Sequence, residues 1–229
     1  MIKRNLSVVI PAAGIGQRVG ASIPKQYLPL LGKTIIEHSL LPFLEHPRIT
    51  RVIVSLAKND QWFINLPVAQ HTKVETVVGG VERVDSVLAA LKIINGEDYV
   101  LVHDAARPCI QQEDINKLIN AVEDKQQGAI LACKVRDTMK RSDQNNTISN
   151  TVERENLWHA LTPQMFENQQ LINAISASSS SGKITDEASA LEMSGVPVMI
   201  VEGRSDNLKV TREEDLKLAA FYLSQGEQR

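Results

Sequence analysis

The residues best suited to chemistry lie in a loop that follows the first apolar run of the chain. Residues 6–10 are mainly apolar and end at Pro11, and the loop that follows consists of small residues, so its backbone N–H groups are open to a phosphate or a base. These small residues are Ala12, Ala13, Gly14 and Gly16. Two cations, Arg18 and Lys25, come next. Together they suit a polyphosphate whose charge must be neutralised during a reaction.

A dinucleotide-binding turn is the alternative interpretation of this loop. The usual fingerprint is one residue shorter than the spacing here, where the glycines are Gly14, Gly16 and Gly20. The fingerprint also needs an acidic residue about twenty positions further on to hold a ribose. The next apolar run, residues 51–57, ends without a carboxylate, and a redox domain would not need two cations beside the turn. The sequence therefore favours nucleotidyl transfer.

A second polar group follows the apolar residues 100–102. Asp104 lies at the predicted carboxyl end of that strand, where one carboxylate together with substrate phosphates can hold Mg²⁺. The alternative is that Asp104 caps a turn or pairs with Arg107. His103 has no His or Cys partner at ligand spacing, so we expect it to make structural hydrogen bonds.

A third stretch contains two adjacent glycines, Gly79 and Gly80, at another predicted strand-to-helix turn. Glycines allow a ligand to approach the backbone closely. Ser86 falls in the first turn of the following helix, and its alternative role is that of an ordinary helix-start hydroxyl.

Alternating strand and helix patterns must position these groups. Helical periodicity predicts apolar helix faces over residues 35–44, 84–94 and 115–122, a helix starting at 185–187, and a last helix with a capping box over 211–214. Strands are predicted over residues 51–56, 73–78, 99–103, 129–135 and 196–202. This alternation is typical of a parallel sheet covered on both faces, which binds ligands beyond the carboxyl ends of its strands.

The pattern changes between Arg136 and Glu153, where two polar runs flank the turn sequence 143–146. An isolated hairpin is only marginally stable in water, so we expect it to pack on a second subunit. The alternative is a flexible surface hairpin. Residues 177–182 are rich in serine and predict a solvated linker.

Composition and charge narrow the class of protein. The chain has 229 residues, 43% of them apolar, which suits one large α/β domain, and its net charge of −2 does not favour binding to nucleic acid or to an anionic membrane. Cys109 and Cys133 lack metal-ligand spacing and indicate buried thiols in a reducing compartment. No apolar run approaches the ~20 residues that span a bilayer, and the first residues leave no room for a signal peptide, so we expect a cytoplasmic protein.

Several motifs, in order from about Val8 to about Tyr222, resemble the 2-C-methyl-D-erythritol 4-phosphate cytidylyltransferase family of the non-mevalonate isoprenoid pathway. No motif position departs from the family pattern. The motifs are residues 11–14 with Arg18, 24–27, 79–80 with Arg83 and Ser86, 103–108, 162–164, 185–189, and Gly203 and Asn207 with 209–211. Because the sequence ends near residue 229, we expect no fused second enzyme.

This resemblance implies a fold and a reaction. The fold would be one Rossmann-like α/β domain over residues 1–229, with a mostly parallel sheet covered by helices and a protruding β-hairpin arm, residues 136–154, for dimerisation. The reaction would join CTP to 2-C-methyl-D-erythritol 4-phosphate and release pyrophosphate, with Mg²⁺ or another divalent cation. The alternatives are a ribitol 5-phosphate cytidylyltransferase, a UTP- or TTP-dependent sugar-phosphate transferase, and a non-catalytic nucleotide-binding regulator. The intact cations and Asp104 disfavour the regulator.

The resemblance also assigns roles to individual residues. Arg18 and Lys25 would stabilise the reacting α-phosphate, with Arg154 and Lys209 as further catalytic cations, and Asp104 would hold the metal. The nucleotide would contact Ala12, Ala13, Gly14, Gly16, Gly80, Ser86 and Ala105. The methylerythritol phosphate would contact Arg107, Thr138, Arg154, Thr162, Thr185, Asp206 and Lys209, with Thr138 and Arg154 completing the site of the neighbouring subunit.

The chemistry explains why the motifs contain no obvious catalytic base. The nucleophile is a phosphate monoester with a second pKa of about 6, so it is already largely dianionic at neutral pH. The barrier lies in bringing anions together and stabilising charge on the transferring group, which requires cations and positioning.

Overall fold

Strands and helices alternate along the chain in the computed structural model, which describes residues 5–14, 23–94, 98–178 and 184–226. The strands are β1 (Leu6–Pro11), β2 (Pro29–Leu30), β3 (Lys33–Thr34), β4 (Ile49–Leu56), β5 (Val74–Val78), β6 (Tyr99–Val102), β7 (Ala129–Lys134), β8 (Met139–Ser142), β9 (Ile148–Val152), β10 (Trp158–Glu167) and β11 (Met199–Glu202). The helices are α1 (Ile35–Leu44), α2 (Arg83–Leu91), α3 (Gln112–Lys125), α4 (Asn168–Ser178), α5 (Glu187–Met193) and α6 (Glu213–Gly226). The predicted site residues Gly16 and Arg18 lie outside the described residues.

One seven-stranded sheet organises the domain, in the order β11-β7-β10-β6-β1-β4-β5. Strand β10 runs antiparallel to both of its neighbours, β6 and β7, and all other neighbouring pairs are parallel. The prediction of an α/β domain with a mostly parallel sheet is therefore confirmed.

Helices cover both faces of the sheet, as the apolar strands predict. Successive residues of a strand point to opposite faces. On β1, Val8 packs in one apolar cluster with α1 and α3, whereas Val9 packs in a second cluster with α2, α4 and α5. Both valines are fully buried. This two-sided burial is what fixes the loops at the strand ends.

The three predicted apolar helix faces are confirmed as α1, α2 and α3. At the start of α1, the Thr34 hydroxyl accepts a hydrogen bond from the Glu37 N–H, and the Glu37 carboxylate accepts one from the Thr34 N–H at 2.7 Å. Helix α2 ends at Leu91 and not at Ile94, although Ile94 is still buried. None of the described helices combines the length and apolar character that crossing a bilayer requires.

The predicted strand ends need small corrections. Strands β4 to β7 match the predictions to within two residues. The strand predicted over 196–202 begins only at Met199, because residues 195 and 196 still close the end of helix α5. Gly195 has φ +72°, and the Val196 N–H donates a hydrogen bond to the Leu191 carbonyl at 3.0 Å. In the serine-rich stretch, residues 177–178 belong to α4 and not to a linker, and 179–183 lie outside the described residues.

The capping box predicted over 211–214 is not present, because Arg212 and not Thr211 directly precedes the helix, and an arginine side chain cannot accept a hydrogen bond. Because α6 begins at Glu213, its third position is Asp215. The Asp215 carboxylate accepts hydrogen bonds from the N–H groups of Thr211 at 2.8 Å and Arg212 at 2.9 Å. Helix starts are the part of a periodic pattern that sequence defines least sharply.

Strand β10 was not predicted. It contains Pro163, and a proline within a run normally argues against a central strand. The structure accommodates Pro163 at an irregularity of the β10–β7 ladder, where the register shifts between Ala160 and Gln164.

The hairpin predicted between residues 136 and 154 is confirmed as β8 and β9. Its turn is closed by Asp143, whose carboxylate accepts hydrogen bonds from the N–H groups of Asn145 and Thr147, both at 2.9 Å. Asn146 has φ +60°, a conformation that asparagine tolerates. Nearly every residue of the two strands is exposed, which leaves surface for a partner.

Candidate active site

Residues that follow β1 and β6 line a cavity of about 170 Å³. The two strands are parallel neighbours, so the loops after them meet at one edge of the sheet. The cavity brings together nine of the predicted site residues: Ala12, Ala13, Gly14, Lys25, Gly80, Ser86, Asp104, Ala105 and Lys209. These segments therefore meet at one cavity, and the roles of their residues stay predictions.

The Gly79–Gly80 turn packs too closely for larger residues. A Cβ on Gly79 would lie 2.6 Å from the Ser86 Oγ and 2.7 Å from the Ala13 Cβ. A Cβ on Gly80 would lie 2.2 Å from the Asp85 Cβ. Gly79 thus lets the turn before α2 approach the loop after β1, and the two loops form adjacent walls of the cavity.

Ser86 holds this turn from inside. Its hydroxyl accepts a hydrogen bond from the Gly80 N–H at 3.2 Å and donates one to the Glu82 carbonyl at 3.3 Å. Its carbonyl accepts one from the Ser55 hydroxyl on β4 at 2.6 Å. Ser86 is 2% exposed. It therefore shapes the cavity, and its predicted contact with a nucleotide stays a prediction.

Lys25 stands in a single 3₁₀ turn, Lys25–Tyr27, after β1. Its ammonium donates a hydrogen bond to the Val210 carbonyl at 3.0 Å, which connects it to the loop before α6. The Tyr27 hydroxyl donates to Asp60 at 2.6 Å, and its ring stacks on Trp62 with centroids 5.6 Å apart. Burial first, and then Asp60, raises the pKa of Tyr27, so the phenol stays protonated as a donor. The 3₁₀ turn is thus anchored by Lys25 to the loop before α6 and by Tyr27 to Asp60 and Trp62.

Asp104 is the electrostatic centre of the cavity. Its carboxylate lies 3.0 Å from Arg83 Nε, 2.9 Å from Lys209 Nζ and 3.5 Å from Arg107 Nε. Burial by itself raises the pKa of Asp104, but the three cations, Arg83 foremost, outweigh it and hold the pKa well below its usual range. The carboxylate is therefore charged. Of the alternatives that the sequence left open, the ion pair with Arg107 is present, and Arg83 and Lys209 are two further partners of the Asp104 carboxylate.

The sequence did not predict the ion pair between Arg83 and Glu187. The guanidinium donates to the Glu187 carboxylate at 2.6 and 3.1 Å, and the Glu187 side chain is only 2% exposed. Burial lowers the pKa of Arg83, but Glu187 and Asp104 more than reverse this and raise it. Arg83 belongs to one of the sequence motifs, but nothing in the neighbouring residues indicates that α2 contacts the start of α5.

His103 has the structural role that the sequence predicted. One ring nitrogen, Nε2, donates to the Arg107 carbonyl at 3.1 Å, since a carbonyl can only accept. Burial lowers the pKa of His103 to about 4, so the ring is neutral at pH 7 and Nδ1 accepts from the Thr162 hydroxyl at 2.9 Å. The same hydroxyl accepts from the Asp104 N–H at 3.1 Å. Thr162 and His103 thus orient the backbone of Asp104.

Four predicted substrate residues do not line the cavity. Arg107 is 9% exposed and donates to the Asn207 carbonyl at 2.7 Å, and Thr162 is 4% exposed. Asp206 pairs with Arg204, whereas Thr185 is exposed just before α5. Their contact with a substrate stays a prediction.

The two predicted arm residues, Thr138 and Arg154, are both exposed and lie apart from the cavity. Arg154 donates a hydrogen bond to the Arg136 carbonyl and lines a separate depression at the base of the arm with Lys134 and Trp158. Within one chain, therefore, Arg154 and Lys25 do not line the same cavity.

The described residues contain no cluster of three or more His, Cys, Asp or Glu side chains that could hold a metal ion. Asp104 is a single carboxylate, and both of its oxygens already accept from cations. Such a site fits Mg²⁺ only when substrate phosphates supply most of the ligands, which is the usual mode for this ion.

Comparisons with known proteins agree with this geometry. A model of the family described as "IspD: 2-C-methyl-D-erythritol 4-phosphate cytidylyltransferase" matches residues 6–225. Proteins of that name from Pseudoalteromonas atlantica and Shewanella piezotolerans are 54% and 55% identical, covering 95% and 94% of this chain and 94% of each relative. The crystal structure of the Francisella tularensis protein of the same name superposes with a TM-score of 0.82 at 37% identity, covering 95% of this chain and 99% of that one. The chain therefore belongs to the 2-C-methyl-D-erythritol 4-phosphate cytidylyltransferase family.

Proposed function

We propose that the protein transfers the cytidylyl group of CTP to 2-C-methyl-D-erythritol 4-phosphate and releases pyrophosphate. As a member of its family, it is a nucleotidyltransferase enzyme of isoprenoid biosynthesis. The observation that carries the proposal is a cavity lined both by small residues, Ala13 and Gly80 among them, and by the cations Lys25 and Lys209. Such a cavity suits a nucleoside triphosphate that reacts with an anionic acceptor.

The nucleotide takes the part of the cavity between the two small-residue loops. Main-chain groups of residues 12–14 and Gly80 bind the base and ribose, with Ala105 and the Ser86 turn behind them. Because Gly79 keeps the loops close together, a pyrimidine suits the space better than a purine. Gly16, which lies outside the described residues, completes the proposed set of nucleotide residues.

The cations carry the chemistry. Lys25 and Arg18 stabilise the charge that develops on the α-phosphate, and Lys209 and the partner protomer's copy of Arg154 balance the charge of the acceptor phosphate. A phosphate dianion attacks without losing a proton, so the site needs no base. His103 is consistent with a site that needs no base, because its ring is neutral and makes structural hydrogen bonds.

Mg²⁺, or another divalent cation, fits the site through Asp104 together with phosphate oxygens of CTP. When bound, it neutralises charge on the triphosphate and helps to align it. Lys209 is 40% exposed at its side chain, so it can turn from the Asp104 carboxylate toward a phosphate. Arg83, held by Glu187, keeps the carboxylate in place while Lys209 moves.

The acceptor, 2-C-methyl-D-erythritol 4-phosphate, binds beside Lys209. The other residues that contact it are Arg107, Thr162, Thr185 and Asp206. The β8–β9 arm supplies Thr138 and Arg154 to the cavity of a second copy in a homodimer. Support comes from the exposure of both residues and from their distance from the cavity of their own chain. Cys109 is buried as predicted, whereas Cys133 is only partly buried, and neither is in a disulfide. Free thiols are compatible with the reducing cytoplasm that we propose.

One assay tests the substrate pair. The protein is incubated with Mg²⁺, CTP and either 2-C-methyl-D-erythritol 4-phosphate or ribitol 5-phosphate, and pyrophosphate release is measured. We expect release with methylerythritol phosphate and much less with ribitol phosphate. The reverse preference assigns the protein to ribitol phosphate, and no release with either acceptor, despite CTP binding, identifies a non-catalytic nucleotide-binding protein.

A further inference from the structure

Gln26 is a buried polar residue to which none of the roles above has been given. It is 4% exposed and follows Lys25 directly in the 3₁₀ turn. Its carboxamide nitrogen donates hydrogen bonds to the carbonyl of Ala12 at 2.8 Å and to the carbonyl of Gly14 at 3.3 Å. One side chain thus connects the turn that carries Lys25 to the loop that lines the nucleotide cavity.

Two other hydrogen bonds of this turn reach different segments of the chain. Tyr27 bonds Asp60, outside the cavity lining, and Lys25 bonds the Val210 carbonyl in the loop before α6. The loop after β1 is anchored on its far side by the Ala12 N–H, which donates to the Ser55 carbonyl on β4 at 2.8 Å. Gln26 bonds two carbonyls of this loop, those of Ala12 and Gly14.

The bond to Ala12 also sets the direction of a peptide group. In a trans peptide the C=O and the following N–H point in opposite directions, and the peptide between Ala12 and Ala13 is trans. Because the Ala12 carbonyl faces Gln26, the Ala13 N–H points the opposite way. Ala13 and Gln26 both line the cavity. No hydrogen bond joins the Ala13 N–H to another described residue.

We propose that Gln26 is a positioning residue: it holds the nucleotide loop against the Lys25 turn, so that the Lys25 ammonium and the loop N–H groups meet the same phosphates. The inference rests on the proposed function, because it acts through Lys25. A primary carboxamide suits the role, since it provides two N–H donors for two carbonyls. A carboxylate of the same shape would place an acceptor against them.

A double-mutant cycle tests this proposal. The variants are Gln26→Met, Lys25→Ala and their combination, and the readouts are kcat with saturating substrates and thermal stability. We expect Gln26→Met to lower kcat about 10- to 100-fold, because a small misplacement of a catalytic group has effects of that size. In the Lys25→Ala background the same substitution should change kcat by less than about 2-fold, since the group that it positions is gone.

The matched control is Gln112→Met. Gln112 also donates its carboxamide N–H to a backbone carbonyl, that of Pro42, but lies outside the cavity lining. We expect this variant to keep kcat within about 2-fold of the parent. A loss of kcat in the Gln26 variant that is absent from this control separates positioning from the general cost of losing a hydrogen bond between a side-chain amide and a backbone carbonyl.

Gln26→Glu supplies a second measurement, and replaces the methionine variant in the cycle if that variant does not fold. Burial raises the pKa of the introduced carboxyl. When protonated, it can donate one O–H to a carbonyl, so the ratio of variant to parent kcat should rise as the pH falls. The ratio for Gln26→Met should be independent of pH.

The outcomes distinguish this inference from the proposed function. If Lys25→Ala leaves kcat unchanged, the catalytic role of Lys25 fails and the inference fails with it. If Lys25→Ala lowers kcat but Gln26→Met does not, the inference alone is overturned. If the two losses multiply in the double variant, Gln26 acts independently of Lys25, which also overturns it.

Discussion

Arg83 and Glu187 lie 104 residues apart in sequence, and their side chains form two hydrogen bonds at 2.6 and 3.1 Å. The same guanidinium bonds Asp104 at 3.0 Å. Arg83 therefore joins three parts of the domain: the start of α2, the loop after β6 and the start of α5. A cavity assembled from separate loops depends on such a connection to keep its walls in place.

Replacement of Glu187 should weaken the fold. Glu187→Gln removes the charge from a carboxylate that is 2% exposed, so we expect the free energy of unfolding to fall by about 1.5–3 kcal/mol, as for hydrogen bonds to charged groups. Urea denaturation measures it. The matched control is Glu75→Gln, which breaks an exposed two-bond pair with Arg51 and should cost less than about 1 kcal/mol. Equal costs would show that burial of the Arg83 pair adds nothing.

Removal of the Lys25 ammonium should affect the chemical step. We expect Lys25→Ala to lower kcat about 100- to 1,000-fold and to change KM for CTP much less, because the cation is needed most as charge develops. Arg18→Ala should behave in the same way. Lys92→Ala, at an exposed lysine after α2, is the control and should leave both constants unchanged. A rise in KM alone would assign Lys25 to ground-state binding.

Replacement of Asp104 should change the dependence of activity on metal. Asp104→Asn nearly keeps the shape but removes the charge, so we expect half-maximal activity to require several-fold more Mg²⁺. A titration with Mg²⁺ at saturating CTP measures this. The same midpoint in both proteins, even at lower overall activity, would mean that Asp104 only anchors Arg83, Arg107 and Lys209.

A side chain at Gly79 should disturb nucleotide binding. The Cβ introduced by Gly79→Ala would overlap Ser86 and Ala13, so the two loops must separate. We expect kcat/KM for CTP to fall at least about 10-fold, as for other small displacements of a site. Gly128→Ala is the control, because its Cβ would lie 2.3 Å from Phe166 Cδ1, away from the cavity. It should lower stability and leave kcat/KM for CTP unchanged, whereas an unaltered kcat/KM in the Gly79 variant would refute the close-approach argument.

Complementation tests whether the arm serves a second subunit. Lys25→Ala and Arg154→Ala proteins are mixed, unfolded and refolded together, and activity is measured. If Arg154 acts in the neighbouring protomer's cavity, each mixed dimer has one site with both defects and one with none. With random exchange about half of the dimers are mixed, so activity should return. A mixture as inactive as its components, with mixed dimers demonstrated, would mean that Lys25 and Arg154 both serve the site of their own chain.

The sequence by itself determined the features that depend on neighbours along the chain. The apolar periodicity of α1 and α3, the alternating runs of β4 to β7 and the turn at Asp143 follow from local spacing, and all were predicted. The same is true of the small-residue loop at Ala12 to Gly14, because a Gly- or Ala-rich turn after a strand has few structural uses. The motifs, read in order along the chain, were specific enough to indicate the family.

Only the tertiary structure decided which charges meet. Asp104 could have held a metal or paired with Arg107, and the sequence left both open, because the approach of Arg83 and Lys209 depends on the order of strands in the sheet. Strand β10 was missed because Pro163 argues locally against it, whereas burial between β6 and β7 overrides that preference. The link from Arg83 to Glu187 had no local signal either: an ion pair between distant segments is a property of packing, and periodicity along the chain does not encode it.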